Sequence, residues 1–269
     1  MQVCPFDRRS MVDGGVYMSL RVQNKLAVVT GGGRGVGRAI AERLVAEGAK
    51  VIITDINAAA GKSTATAIGA TFFRQDVSLQ ADWLALRQHL EKLDQGLDIL
   101  INNAAILRSA DPLTETLAGW QALMRVNAES VFLGVNTLLA MMAASGGGSI
   151  VNMSSSSALM GMPQFTAYAA AKAAVRSLTM STAVYCKQAG NGVRCNSVHP
   201  DGINTDMVRE IAGVMQPLAR EAAMRSVPFL CEPQAVANVL LFLASDDSLH
   251  VNGAAICVDN TATIHPPYI

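Results

Sequence analysis

A glycine-rich turn, Thr30-Gly-Gly-Gly-Arg-Gly-Val-Gly37, stands between a short apolar run and a helical pattern, and this order restricts the possible folds more than any other stretch. Before it, Lys25-Leu-Ala-Val-Val-Thr30 is a near-continuous, β-branched apolar run, the pattern of a strand buried in a parallel sheet. After it, Ala39, Ile40, Leu44 and Val45 recur at helical spacing as far as Gly48, a natural stop. Glycines in such a turn let the backbone approach a pyrophosphate, whose negative charge faces the helix N-terminus. A second strand, Lys50-Val-Ile-Ile-Thr-Asp55, ends on an acid eighteen residues past Gly37, where a carboxylate meets the hydroxyls of an adenosine ribose. A glycine triplet alone often marks only a tight turn. Strand, turn, helix, strand and terminal acid in succession mark a dinucleotide site.

Helix and strand keep alternating beyond Asp55. The patterns predict a helix over 57–68, a strand over 70–74, an amphipathic helix over 81–93 and a strand over 97–101. Two helices follow, over 114–127 and 129–145, the second stopped by Gly146-Gly-Gly148. Strands are expected over 149–153, 192–197 and 254–258, with a long helix carrying Tyr168 and Lys172 between the first two. No internal repeat or linker interrupts the series. The expected architecture is a single-domain α/β Rossmann fold, a doubly wound parallel sheet of about seven strands with helices on both faces and right-handed crossovers. In such a sheet, ligands bind at the carboxyl ends of the strands. Gly31, Asp55, Asp76, Asn103, Ser155 and Pro200 all fall at such ends.

Tyr168-Ala-Ala-Ala-Lys172 supplies chemistry. Residues four apart on a helix share a face, so the ammonium can stand beside the phenol. A free phenol has a pKa of about 10. A neighbouring cation favours the phenolate and moves that value toward the working range. A serine in the run Ser154 to Ser157 can hold a substrate oxygen against the tyrosine. Together these groups add or remove a proton at an alcohol or carbonyl oxygen, with hydride chemistry left to the dinucleotide. Asp55 selects NAD, because its carboxylate bonds the ribose and repels the extra phosphate of NADP. Arg34, inside the turn, argues the other way, since a basic residue there can contact a 2′-phosphate.

A chain of 269 residues with 51% hydrophobic content can bury a substantial single core. Formal net charge is zero and no long basic run exists, which opposes a nucleic-acid partner. Cys4, Cys186, Cys195, Cys231 and Cys257 are scattered and free of metal-ligand spacing, as expected of reduced thiols in a cytoplasmic protein, and no metal site is expected. The longest apolar region, 131–144, is broken by Gly134, Asn136 and Thr137 and reads as a buried helix rather than a membrane span. Residues 1–19 read as a flexible extension with no assigned function, since Met18 would suit a start close to the first strand.

These motifs match a family. From about Leu20 to about Asn260 the chain resembles the short-chain dehydrogenases/reductases, through Thr30-Gly31-x-x-x-Gly35-x-Gly37, Asp76-Val77, Asn102-Asn103-Ala104-Ala105, Asn127, Ser155, Tyr168-x-x-x-Lys172 and His199-Pro200-Asp201-Gly202. Ala105 departs from the usual glycine and is expected to be tolerated. Stretches such as Glu129-Ser-Val-Phe-Leu-Gly134 and His199-Pro-Asp-Gly-Ile203 are similar to bacterial 3β/17β-hydroxysteroid dehydrogenases and related NAD-dependent secondary alcohol dehydrogenases, whereas 204–228 carries much less of the match.

The resemblance implies Tyr168 as general acid/base and Lys172 as partner of both the phenol and the nicotinamide ribose. Its thirteen-residue spacing selects Ser155 to orient the substrate oxygen, and it implies Asn127 in a proton relay through water to Lys172. It places Gly31, Arg34, Gly35, Val36, Gly37, Asp55, Ile56, Asp76, Val77, Asn103, Ala104, Pro200, Gly202, Ile203 and Thr205 around the cofactor. Asp76 would hold the adenine amino group and Thr205 the nicotinamide carboxamide. It implies a small-molecule substrate under a lid at 204–228, and a homotetramer that the tail 265–269 could help to join. Met207, Met215 and Met224, with Val208, Ile211, Val214 and Leu218, read equally as ordinary helix core or as a flexible lid for a bulky apolar substrate. His199 reads as structural, and His89 as solvated. The alternatives are an NADPH-dependent carbonyl or 3-oxoacyl reductase and, in another class, a non-catalytic NAD-binding sensor or scaffold, which the intact Ser, Tyr, Lys and Asn set opposes.

Overall fold

A computed structural model describes residues 20–212 and 230–264. Seven strands form one sheet: β1 (Leu26–Thr30), β2 (Lys50–Asp55), β3 (Thr71–Arg74), β4 (Ile99–Asn102), β5 (Gly148–Met153), β6 (Val193–Pro200) and β7 (Ala255–Val258). Their order is β3-β2-β1-β4-β5-β6-β7, and every pairing is parallel. The chain leaves β1 toward β3, then returns to start β4 on the other side of β1. That reversal opens a crevice at the carboxyl ends of β1 and β4, where doubly wound sheets take their ligands.

Register decides which residues face which layer. Val28 stands beside Ile52 and Leu100, Leu100 beside Ile150, and Ile150 beside Cys195. This row packs with Trp83 and Leu86 of α3 (Gln80–Leu90), Leu138 and Met142 of α5 (Ser130–Ala144) and Cys186 of α6 (Thr166–Ala189). One residue on, Val29, Ile53, Ile101 and Val151 point the other way, because side chains alternate along a strand. They meet Ile40 and Leu44 of α1 (Gly35–Ala46), Ala65 of α2 (Ala58–Ile68) and Leu240 and Leu241 of α8 (Pro233–Ala244).

Strand positions agree with the sequence patterns to within a few residues. The pair of helices expected over 114–127 and 129–145 differs. Here α4 (Leu117–Met124) runs into α5 without a break, through a π turn over Arg125–Glu129. The wider turn absorbs an extra residue without ending the helix, and Asn127 in it is fully buried. The joined helix, Leu117–Ala144, is long and apolar enough by length and composition to cross a membrane. Half of its most apolar window is buried inside the domain, with Leu138 and Met142 in the core beside Trp83, which is the setting of a core helix.

Arg194 secures the outer half of the sheet. Its buried guanidinium donates to the carbonyls of Leu243 (2.9 Å) and Ser245 (3.1 Å), at the carboxyl end of α8, and to Val251 (3.2 Å). The hydroxyls of Ser149 and Ser248 also donate to the Leu243 carbonyl. A cation is favoured where the last carbonyls of a helix lack partners. Arg194→Met keeps most of the volume and removes every donor. It is expected to destabilise the fold by about 2–4 kcal/mol, read as a lowered denaturation midpoint with turnover per folded molecule retained.

Candidate active site

The glycine turn closes over the end of β1. Gly31 has φ +63°, a left-handed backbone that side chains disfavour, and a Cβ at Gly37 would collide with the Gly31 carbonyl oxygen. No side chain caps the N-terminus of α1, and no acid stands in its first turn. Its free N–H groups therefore face the crevice, an arrangement that suits a phosphate. Asp55 closes the end of β2. Its two carboxylate oxygens each accept one backbone N–H, from Gly33 and from Asn57, both at 2.9 Å. Lone pairs remain on both oxygens for ribose hydroxyls. Asp76, after β3, accepts from the Ser78 N–H (3.0 Å) and hydroxyl (2.7 Å). Asn103, after β4, is tied to Thr30 through its own N–H and its side-chain amide. Ala105 lies outside the positive-φ residues, so its methyl costs no backbone strain.

These strand ends wall a cavity of about 360 Å³. Of the expected cofactor residues, Gly31, Arg34, Gly35, Val36, Asp55, Ile56, Asp76, Val77, Asn103, Ala104, Pro200, Ile203 and Thr205 line it. Ser155, Tyr168 and Lys172 line it as well. Gly37, Gly202 and Asn127 stand behind the wall. Gly37 acts through close packing, and the Gly202 carbonyl accepts from the Cys231 N–H at 2.9 Å. Asn127 donates to the Ile106 carbonyl and accepts from the Ile106 N–H, each at 2.8 Å. Sequence reasoning missed Gln75, Ile106, Leu107, Val126, Met153 and Asp201 in the wall. Most are apolar residues without a motif, and only tertiary packing brings them there.

Ser155 is extended (φ −164°, ψ 158°), directly before a single 3-10 turn, Ser156–Ala158. Its hydroxyl accepts from the Ser157 N–H at 3.2 Å, and the residue shares the cavity lining with Tyr168. Two other serines of the run have separate duties, while the buried Ser157 hydroxyl has no partner. Ser154 donates to the Lys172 carbonyl and Ser156 to Asp201, both at 2.8 Å. Lys172, 2% exposed, donates from Nζ to the Met153 carbonyl at 2.7 Å and lies 5.6 Å from the centre of the Tyr168 ring. Burial pushes the Tyr168 phenol up to about 12, partly offset by the Ser155 hydroxyl. Burial brings Lys172 down to about 8. The expected lowering of the phenol by the lysine is thus absent in the protein alone, because desolvation outweighs it. Lys172 nevertheless carries its charge over most of the neutral range.

The segment from 204 onward is described through α7 (Asp206–Ala212); 213–229 lie outside the described residues, as do 1–19 and 265–269. Its base is clamped by Asn204 N–H to the Cys231 carbonyl and Cys231 N–H to Gly202, both 2.9 Å. Met207 and Val208 line the cavity, while Met215, Met224, Val214 and Leu218 fall outside the description. His199 is fully buried and bonded at both ring nitrogens, in agreement with a structural reading. His89 is not simply solvated: it is partly buried with its ring 5.3 Å from that of Phe73.

Fold and crevice define a dinucleotide-binding α/β protein. Residues 31–263 match the family model described as enoyl-(acyl carrier protein) reductase. The chain is 39% identical over 252 residues to 3-beta-hydroxysteroid dehydrogenase of Comamonas testosteroni, covering 91% of this chain and 98% of that one. It is 36% identical over 251 residues to NADP-dependent (R)-specific alcohol dehydrogenase of Lentilactobacillus kefiri, covering 91% and 99%. Aldohexose dehydrogenase of Thermoplasma acidophilum, solved in ligand-free form, superposes with a TM-score of 0.82 at 30% identity, covering 92% of this chain and 97% of that one. The chain belongs to the short-chain dehydrogenase/reductase family, oxidoreductases that act on CH–OH groups with a nicotinamide cofactor.

The buried lysine makes a stability prediction with a definite sign. Its pKa is about 8 in the folded protein against an ordinary lysine value of 10.5, so between those values the unfolded chain holds the proton more tightly and stability rises with pH. At pH 7 the full penalty is present. Lys172→Met removes it while leaving the Met153 carbonyl without a donor. The variant is expected to be more stable at pH 7 by on the order of 2 kcal/mol. The gain should shrink as pH approaches about 10. The raised Tyr168 value, which costs stability above about pH 10, is common to both proteins and cancels. Chemical denaturation across this range checks both the sign and the window.

Proposed function

We propose that the protein is an NAD-dependent dehydrogenase that interconverts a secondary alcohol of steroid or cyclic type with its ketone, using Tyr168 as the proton-transferring group. The observation that carries this reading is the convergence of Ser155, Tyr168 and buried Lys172 on one cavity, beside apolar Ile106, Leu107, Val126, Met207 and Val208. The chemistry a bound nicotinamide supplies there is hydride exchange with the carbinol carbon. Tyr168 takes the alcohol proton in oxidation and returns it in reduction. Ser155 donates to the oxygen as it becomes a carbonyl, and the Lys172 charge favours the phenolate form. Asn127 has its amide committed to the Ile106 backbone. A proton path to Lys172 would therefore run through water, which both accepts and donates, and Asn127 would serve it by fixing the Ile106 backbone rather than by passing the proton.

Asp55 supports NAD, since its carboxylate is already oriented by two backbone N–H groups at the end of β2. Arg34 faces Glu210 of α7 across the crevice mouth, with 3.9 Å between charged atoms, which draws its charge toward the protein's own acid. The second reading, an NADPH-dependent reductase, draws on Arg34 and on the NADP-dependent name of one relative. The steroid or cyclic-alcohol class draws on the apolar wall and on the hydroxysteroid relative. On that wall, the loop at 106–116 and the loop at 159–165 are stitched together by paired Ala110 and Phe165. A homotetramer is supported by Phe132 on α5 and Met180, Val184 and Tyr185 on α6, all exposed. The described cysteines are free thiols, consistent with a reducing cytoplasm.

Turnover of a 3β- or 17β-hydroxysteroid or a cyclic secondary alcohol with NAD is the expected result of a substrate panel, followed as nicotinamide reduction. Tyr168→Phe should lower kcat by about 10³-fold or more while NAD still binds. Retained turnover in that variant would remove Tyr168 as the base. NAD should be preferred to NADP by about 100-fold in kcat/KM, and Asp55→Asn should erode most of that preference. A native preference for NADP would establish the second reading.

A further inference from the structure

The turn that carries Ser155 is anchored at four successive residues, and the anchors belong to two different elements. On the α6 side, Lys172 Nζ donates to the Met153 carbonyl (2.7 Å) and the Ser154 hydroxyl donates to the Lys172 carbonyl (2.8 Å). On the β6 side, His199 Nδ1 contacts the Ser155 carbonyl at 3.0 Å, and the Ser156 hydroxyl donates to Asp201 Oδ1 at 2.8 Å. His199 is the penultimate residue of β6, and Asp201 follows directly, its N–H donating to the Val258 carbonyl of β7 at 3.2 Å. A strand in the middle of a sheet is among the stiffest supports a fold offers.

The hydrogen-bond chemistry assigns the imidazole form. A carbonyl oxygen only accepts, so Nδ1 carries the proton and donates to Ser155. Nε2 then accepts from the Ser197 hydroxyl, 2.8 Å away. Burial and the nearby Lys172 and Arg176 charges hold this histidine below its usual value, which favours the neutral ring. The Ser155 carbonyl thus receives two donors, His199 Nδ1 and the Ala158 N–H of the 3-10 turn at 3.0 Å. With its carbonyl held by two donors and its hydroxyl accepting from the Ser157 N–H at 3.2 Å, Ser155 is fixed in the cavity lining that it shares with Tyr168.

We propose that His199 and Asp201 are positioning residues that aim the Ser155 hydroxyl, clamping the serine turn to β6 as Lys172 clamps it to α6. This rests on the assignment of Ser155 and Tyr168 to the reaction. Ser155 must donate to the substrate oxygen at the moment the Tyr168 proton moves, and a small misplacement of such a group costs far more in kcat than in binding. The clamp therefore acts on turnover and leaves the cofactor crevice at β1 and β2 untouched.

Asparagine and glutamine at 199 separate positioning from mere packing. The asparagine amide nitrogen falls close to the place of Nδ1 and can donate to the Ser155 carbonyl, whereas the glutamine nitrogen falls nearer Nε2. His199→Asn is expected to keep kcat within about threefold, and His199→Gln to lower it about 10- to 100-fold, with KM and the NAD dissociation constant little changed. Ser156→Ala, which releases the Asp201 clamp, should lower kcat about 10-fold by the same route. Melting temperatures of all three are measured alongside, with Ser155→Ala as control. Equal losses in the asparagine and glutamine variants, or full kcat in both His199→Gln and Ser156→Ala beside an inactive Ser155→Ala, would overturn the clamp. If the His199 variants do not fold, Ser156→Ala decides alone. A Ser155→Ala protein with normal turnover would instead overturn the assignment of Ser155, and the clamp with it.

Discussion

Parallel pairing sets Ile52, Val28, Leu100, Ile150 and Cys195 in one buried row of the sheet, and two residues further along the same strands come Thr54, Thr30, Asn102, Asn152 and Ser197. The first row is core. The second is polar and still buried, and it marks the level at which the core gives way to the site. Buried polar groups persist where they find partners. The Asn102 amide donates to Asn152, Asn152 to Thr179 of α6, and Ser197 to His199. Thr30 accepts from the backbone of Asn103 and Ala104. A slip of one residue in any of these strands would exchange the two faces and scatter the polar row. Everything above it, from Asp55 at the end of β2 to Ser155 after β5, depends on this register.

The Tyr168, Lys172 and Ser155 side chains sit where two stiff elements meet. Helix α6 brings Tyr168 and Lys172 on one face, and the end of β5 brings Met153 and the serine turn to them. Burial makes both ionisable groups reluctant to charge, the phenol at about 12 and the ammonium at about 8. At neutral pH the phenol stays protonated, while the ammonium stays charged in surroundings that disfavour charge. Keeping that charge buried opposes folding.

The sheet was largely legible because hydrophobic periodicity reports burial directly. β2 falls on its expected bounds, and the other strands shift by one to three residues at their ends. The break expected near Asn127 does not form, because a helix can take in an extra residue through a local π turn without ending. Here a π turn carries the helix through and sends the asparagine amide to the backbone of Ile106. Arg194 gave no signal either. A lone arginine in a strand pattern reads as exposed, and only the arrival of α8 from 49 residues away supplies the Leu243 carbonyl that makes it a buried cap.

Spacing alone determined the fold class, the crevice at the strand ends and the identity of the Tyr-Lys pair, because glycine turns, helical periodicity and strand-end acids are local in the chain. Tertiary structure decided what those groups experience. It set Ser155 in the cavity lining beside Tyr168 and bound its neighbours Ser154 and Ser156 elsewhere. It brought Ile106, Leu107 and Val126 to the cavity wall and turned the expected lowering of the phenol into a rise. Charge proximity can be read from four-residue spacing, whereas desolvation depends on every atom packed around the pair, and those atoms come from distant segments.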